Sequence, residues 1–574
     1  MFEVNVFSGM KPALAAHLLE VGQAVSAVNC LLDSGELRPL GGLLKVAAVQ
    51  GRTGTIYRYR NQWLSWEKRV TLRTGPIAGD HKERVYGTND KGAFTFCSAD
   101  GVDRNRLENR YALGIPAPLA APQVVVSGTG DEDSDVVSRV YVYTLVSDLG
   151  EEGPPSPASE VIDVQAGQSV EVSSLNVESE GFRPVKLIRI YRTVAGTESA
   201  EFQFVAELEA SENTFTDTVD DSDTGEILPS RYWVPAPEGL SGLTALPGNM
   251  FAGFKGNEIY VSEPGFPHAW PDDYSMSVPH KIMAMESTGN TLVVLTGANV
   301  HTITVDDPSI AVPSRLDGYL PCASASGVVA SPLGVIFPSL DGLYLVSPGS
   351  APLNITAGIF TEKDWRDLRP ESFNAVWHAG QYICFHEPGA GFVFDPSSKV
   401  LSRLGFHCTA LAVEPEGRVL HAAYPFGNES VICRWDASDF TLRSEWMSGE
   451  MRTKEPLNME AAMVVADYDQ APDDSILKVE RELFCMGADM PGAVCLGGDN
   501  RSFYQVQRKG EVHFQLRANG KEFYSCRVRS SEPFILPDGD LATRFQIGVV
   551  SDIPVSKLAL APAMGDLYED ANAS

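Results

Sequence analysis

Two histidines eight positions apart, His378 and His386, and a third in the run Pro-His-Ala-Trp-Pro, His268, are the imidazoles that could hold a metal ion. Imidazoles without a third ligand at metal spacing do not make a zinc site, so surface or core positions are expected for all three. Ser339-Leu340-Asp341-Gly342 opens like the S-x-D-x-G-x-x-W box of propeller sialidases, but the spacing and the tryptophan are missing. Asp341-Gly342 therefore reads as a hairpin turn. Asp272 and Asp273 could pair for acid–base work, yet with 75 acidic residues in the chain such adjacency is expected by chance. The runs Asp131-Glu132-Asp133-Ser134-Asp135 and Asp220-Asp221-Ser222-Asp223 suggest calcium, and the stretch DSDTGE echoes the opening of an EF-hand loop. Glu226 arrives too early for that loop and no flanking helices are read, so solvated loops are expected. GGLLKVAAVQGRTGT has glycines but no phosphate-cradle spacing, and neither H-E-x-x-H nor G-x-S-x-G occurs. The expectation is a non-enzymatic chain with no catalytic, cofactor-binding or metal-ligating residues and no cofactor.

The nine cysteines, Cys30, Cys97, Cys322, Cys384, Cys408, Cys433, Cys485, Cys495 and Cys526, are scattered, odd in number and free of C-x-x-C spacing. That pattern argues against a disulfide framework or zinc site and fits folding in a reducing cytosol. The net charge of −30, from 45 basic and 75 acidic residues, disfavours tight nucleic-acid binding, because no counterions are released by an acidic surface. No apolar run approaches the roughly 20 residues of a membrane span, and the opening MFEVNVFSGMKPALAAHLLEVGQA lacks a signal peptide's basic start.

The elements that must position these residues are mainly strands. At 574 residues, with 51 glycines and 37 prolines, the chain suits several β-rich domains with tight turns. Residues 11–28 are expected to be a helix, with Pro12 in its first turn and Leu14, Leu18, Val21 and Val25 at helical spacing. The proline-rich stretches GIPAPLAAP and VPAPEGLSG bracket about seven short strands, which predicts an inserted β-sandwich of immunoglobulin or fibronectin type III kind over 114–236. Segments 1–113 (N-terminal helix and strands) and 237–446 (loose strand–turn repeats of about 40–50 residues) predict a β-propeller-like core. Residues 447–574 complete the propeller or a platform with further strands; Asn519-Gly520 is a hairpin turn, and the polar tail LYEDANAS is expected to fray.

The runs SGMKPALAAHLLEVGQAVSAVNCLLDSGELRPL, IYRYRNQWLSWEKRV, ERVYGTNDKGAFTF and, most specifically, LPGNMFAGFKGNEIYVSEPGFPHAWP resemble bacteriophage tail nozzle proteins, the tail tubular protein B group. YVYTLVSDLGEEGPPSPAS resembles an insertion found in many members, and DGLYLVSPGSAPLNIT and TEKDWRDLRPESFNAVWHAGQYICF also fit. The resemblance covers most of 1–446 and is weaker beyond. It implies a virion protein of the tail, assembled in the host cytoplasm as a six-fold ring. Its partners would be an adaptor or portal-side protein above, fibres or distal tail parts below, and genomic DNA passing through without sequence-specific binding. A channel wall of net negative charge is expected, because groups within the roughly 8 Å Debye length repel a duplex; Arg58, Arg60, Arg69, Arg443 and Arg452 are the cations that could face the axis, with salt bridges to nearby acids the expected fate for them. The rival readings are a propeller glycan-binding adhesin and a virion depolymerase.

Overall fold

The alternation in Ser-Val-Glu-Val-Ser and the pairing of short apolar runs across glycine turns are realised as strands almost throughout the computed structural model, which describes residues 1–77, 79–131, 133–194, 201–414, 418–438, 441–468, 510–539 and 541–571. Two compact units result, Met1–Lys68 with Leu320–Ser574, and Arg69–Tyr319. Both are built from four-stranded antiparallel meanders of the kind that form propeller blades.

In the Arg69–Tyr319 unit, one meander runs through Thr71–Thr74, Val85–Asn89, Gly92–Phe96 and Tyr111–Ala112. A second runs through Ser241–Leu246, Met250–Lys255, Glu258–Val261 and Ser275–Ser277, and a third through Ile282–Thr288, Thr291–Thr296, Val300–Thr304 and Ser314–Arg315. Their first strands lie side by side. Tyr86, Leu113, Leu243, Phe251 and Trp270 fill the space between the first two sheets, and Ile259, Met285, Leu292 and Val294 belong to the next core.

Between the first and second meanders the chain leaves to build a β-sandwich. One layer is Gln123–Ser127, Ser169–Ser173 and Thr214–Asp217; the other is Tyr141–Ser147, Val185–Thr193 and Phe202–Glu209. Val170 and Val172 are fully buried while Glu171 between them is exposed, the two-residue period of a strand with one face on a core. Tyr141–Ser147 is buried at every position because both its faces are covered: Tyr141, Tyr143 and Leu145 join the sandwich core, and Val142 meets Tyr191 and Leu228 behind it. The entering and leaving strands touch, the amide of Ala236 donating to the carbonyl of Leu113 at 3.0 Å. Gly114 makes this crossing possible. Its φ is +113°, and a Cβ there would stand 2.5 Å from the Cα of Pro235.

In the other unit, meanders begin at Val329–Ser331 and Asn374–His378, and a third, starting at Ala410–Val413, takes its last strand, Leu44–Gln50, from the N-terminal segment. The hairpin Thr55–Tyr59 and Gln62–Trp66 packs beside it. The Asn374–His378 meander extends through Ala24–Val28 and Ser444–Ser448 to Ala542–Ser551, Val512–Ala518 and Lys521–Val528, and with Met451–Leu457 also pairing on Ala542–Ser551 this makes a ten-stranded sheet. Asn519 and Gly520 have φ of 48° and 82°, the paired positive values a two-residue hairpin turn demands.

Two local expectations are corrected. Residues 11–28 are not an α-helix: only a 3-10 turn, Ala16–Leu18, forms, and Ala24–Val28 is a strand paired with Ser444–Ser448. Pairing with a sheet outweighs a weak helical period, and Gly22, at φ +90° against the carbonyl of Val6, breaks the run. The chain end also takes up regular structure that its polarity does not suggest. Met564–Ala571 is helical, anchored by the buried Leu567, while 572–574 lie outside the described residues.

Candidate functional site

The residues singled out by chemistry are dispersed. His378 sits at one end of a five-pair ladder and His386 one position beyond its other end, roughly 17 Å away along the strand. His386 is buried against Phe373 and Phe392. His268 is buried between Trp233 and Phe266, and its Nε2 donates to the carbonyl of Glu152 at 3.1 Å. Desolvation holds its pKa below the ordinary 6.5. Ser339–Gly342 is the loop of a hairpin, with the Ser339 amide donating to the Gly342 carbonyl and the Ser339 hydroxyl buried on Pro321. Asp272 and Asp273 are exposed in a 3-10 turn. Asp131 caps the amide of Asp133 in a sandwich loop, Glu132 lying outside the described residues. Asp221 is spent on Arg139 and Arg192. Among the described residues no three His, Cys, Asp or Glu side chains gather to hold a metal. Seven cysteines, Cys30, Cys97, Cys322, Cys384, Cys408, Cys433 and Cys526, are free thiols; Cys485 and Cys495 lie outside the described residues.

Of the arginines proposed for a channel wall, Arg58, Arg60, Arg69 and Arg452 are exposed and Arg443 is half-buried. Arg58 pairs with Glu414 at 2.7 Å and Arg452 with Glu450 at 2.7 Å.

What the fold does gather is charge in and beneath the sandwich. Residues 114–236 hold six basic against 22 acidic residues, a net −16 of the chain's −30. Most of the cations there are drawn inward. Arg192 and Asp217, both without solvent exposure, meet at 3.0 Å; the Tyr141 hydroxyl donates to the same carboxylate at 2.7 Å, and Arg139 and Asp221 close the group. Glu152 accepts from the hydroxyls of Thr144, Tyr191 and Ser230 and from Arg189. Burial, then this carboxylate, pushes the Tyr191 phenol well above its ordinary value. Arg183, fully buried, forks between Asp100 and Asp148. Sequence reasoning missed all of these partners. The available signal was the placing of Arg189 and Arg192 in the apolar strand VKLIRIYRT, where an unpaired cation would be costly.

Apolar surface also collects near the start of the chain. Val6, Leu18 and Val21 are 63%, 60% and 72% exposed, with Leu14 beside them in sequence.

No family model matches the sequence, and no curated protein matches it. Among solved structures, BamB from Moraxella catarrhalis is similar at 11% identity and a TM-score of 0.26, covering 68% of this chain and 97% of its own. U3-55K is similar at 10% identity and a TM-score of 0.29, covering 68% and 99%. YCF48 bound to D1 peptide is similar at 13% identity and a TM-score of 0.25, covering 45% and 86%. Likenesses at these scores say nothing of function. The strand topology itself makes the chain a mainly β protein of propeller-like sheets carrying an inserted β-sandwich.

Proposed function

We propose that the chain is a structural subunit of a bacteriophage tail, one of six copies in a closed nozzle ring through which DNA leaves the particle. The observation that carries this reading is the sequence resemblance over most of 1–446, above all the run from Leu246 to Pro271. That run supplies two adjacent strands and the loop that packs Phe266, His268 and Trp270 beneath the sandwich, so its residues serve architecture. A ring repeats one heterologous interface until rotation closes it, and the exposed Val6, Leu18 and Val21 are surface of the kind such an interface buries. The net charge of −30 suits a wall that passes DNA without holding it. The adaptor or portal side would dock above, and fibres or distal tail parts below.

Electron microscopy of assembled tails is expected to find six copies of this chain around an open channel. One or two copies per particle would overturn the ring. A duplex-binding assay at low salt tests the channel wall separately: weak binding is expected, and submicromolar affinity that falls steeply with salt would overturn the repulsive wall.

A further inference from the structure

We propose that the sandwich is a latched arm: the buried Arg183 fork locks it onto the Thr71–Ala112 meander, and breaking the fork frees the arm as a folded body. This inference rests on intrachain geometry and is independent of the nozzle reading.

Arg183 leads into the strand Val185–Thr193 of the sandwich. Its Nε and Nη2 donate to Asp148, in a sandwich loop, at 2.9 and 3.0 Å. Its Nη1 and Nη2 donate to Asp100, beyond the strand Gly92–Phe96, at 2.9 and 3.1 Å. One planar guanidinium thus joins two carboxylates from two bodies, geometry a lysine could not reproduce. Both sides are prearranged: Asp148 orients Arg183 from within the arm, and the amide of Cys97 holds Asp100 at 2.6 Å. The Tyr111 ring lies under the guanidinium at 4.9 Å.

Much of the rest of the junction is polar too, with Trp233 of the sandwich segment packed near Phe266, ring centroids 4.2 Å apart, as an aromatic contact beside the pivot. Arg84 reaches Asp80 at 2.8 Å and the sandwich's Glu151 at 3.2 Å, and His268 holds the carbonyl of Glu152. The Ala112 amide donates to the Gly181 carbonyl at 2.8 Å across the same seam. Two arginines therefore face four carboxylates, Asp80, Asp100, Asp148 and Glu151, and the hydroxyl of the buried Tyr86 beside them has no partner among the described residues. Opening such a seam returns charge to water, which offsets part of the lost pairing. Opening the arm's own core would expose Tyr141, Leu145, Ile188 and Ile190 with no such return. Undocking is accordingly the easier of the two motions, and the side-by-side linkers at Leu113 and Ala236 form a two-strand pivot.

Hydrogen exchange on the full chain separates the cases. In Arg183→Gln, exchange of the Ala112 amide is expected to quicken at least about tenfold while the Ile188 and Ile190 amides keep their protection. Asp100→Asn, which cuts only the meander's half and keeps an oxygen for the Cys97 amide, is expected to give the same pattern. It remains informative should Arg183→Gln fail to fold. Asp148→Asn, which leaves the cross-seam half intact, is expected to do much less. Unchanged Ala112 protection in Asp100→Asn would overturn the latch. So would loss of Ala112 and Ile188 protection together, which would make Arg183 part of the arm's fold.

Discussion

Replacing Asp217 with alanine is expected to cost the sandwich about 3–5 kcal/mol, the loss typical when one partner of a buried ion pair is removed. Asp217 has no solvent exposure, and its carboxylate receives Arg192 at 3.0 Å, the Tyr141 hydroxyl at 2.7 Å and the Val219 amide at 2.9 Å. Alanine leaves a buried phenol and a buried guanidinium short of acceptors. Asp221, which touches Arg192 at 2.9 Å, cannot replace it, because its own side chain is 29% exposed and already serves Arg139. Asp221→Ala should therefore cost only about 1 kcal/mol, near the range of partly exposed pairs. Arg192→Met combined with Asp217→Leu and Tyr141→Phe, which also removes the stranded hydroxyl, should recover much of the loss, since a buried ion pair is often no better than a well-packed apolar one. Urea denaturation followed by exchange at the Val170 and Val172 amides measures all three. A loss below about 1 kcal/mol for Asp217→Ala would refute the claim that this carboxylate holds the sandwich together.

Much of this architecture was legible because strands with one buried face announce themselves. Ser-Val-Glu-Val-Ser alternates, Asn519-Gly520 demands its turn, and the prolines at 116, 118, 122, 235 and 237 mark where the chain enters and leaves the sandwich. The failures have equally local causes. Leu14, Leu18, Val21 and Val25 carry a helical period, but the backbone groups of 24–28 found partners on Ser444–Ser448, more than 400 positions away, and no local pattern encodes that. The ion groups were invisible for the same reason. Asp100, Asp148 and Arg183 are separated by 48 and 35 positions and look like solvated charges until the sandwich folds back on the meander. Charge count foretold an acidic protein; it could not tell which few of its acids are buried and essential to the fold.

Those buried groups make stability depend on pH. Lowering the pH from 7.5 to 5.5 is expected to weaken both units. His268 and His301 in one, and His386 and His421 in the other, are 3–7% exposed. Desolvation holds the pKa of each below the ordinary 6.5. For His421 the nearby Glu414 pulls the other way, but Arg58 and Arg434 add to the desolvation. A histidine depressed in the folded state stays neutral there while its unfolded counterpart protonates. Full stability is thus present above about 6.5 and is lost as pH falls toward each folded value, at up to about 1.4 kcal/mol per pH unit per histidine. Two carboxylates oppose this lower down: burial raises Asp436 and Asp552 above their ordinary 3.8, so the folded state takes up their protons first and gains stability as pH falls through that range. The histidine loss should therefore dominate nearest 6.5 and flatten further down. Denaturation midpoints at pH 7.5, 6.5 and 5.5 test the sign. The double change His268→Gln and His301→Gln should flatten the dependence of the Arg69–Tyr319 unit and leave that of the other unit alone. Equal midpoints at pH 7.5 and 5.5, or an unchanged slope in the double variant, would show that these imidazoles do not set the acid limit of the fold.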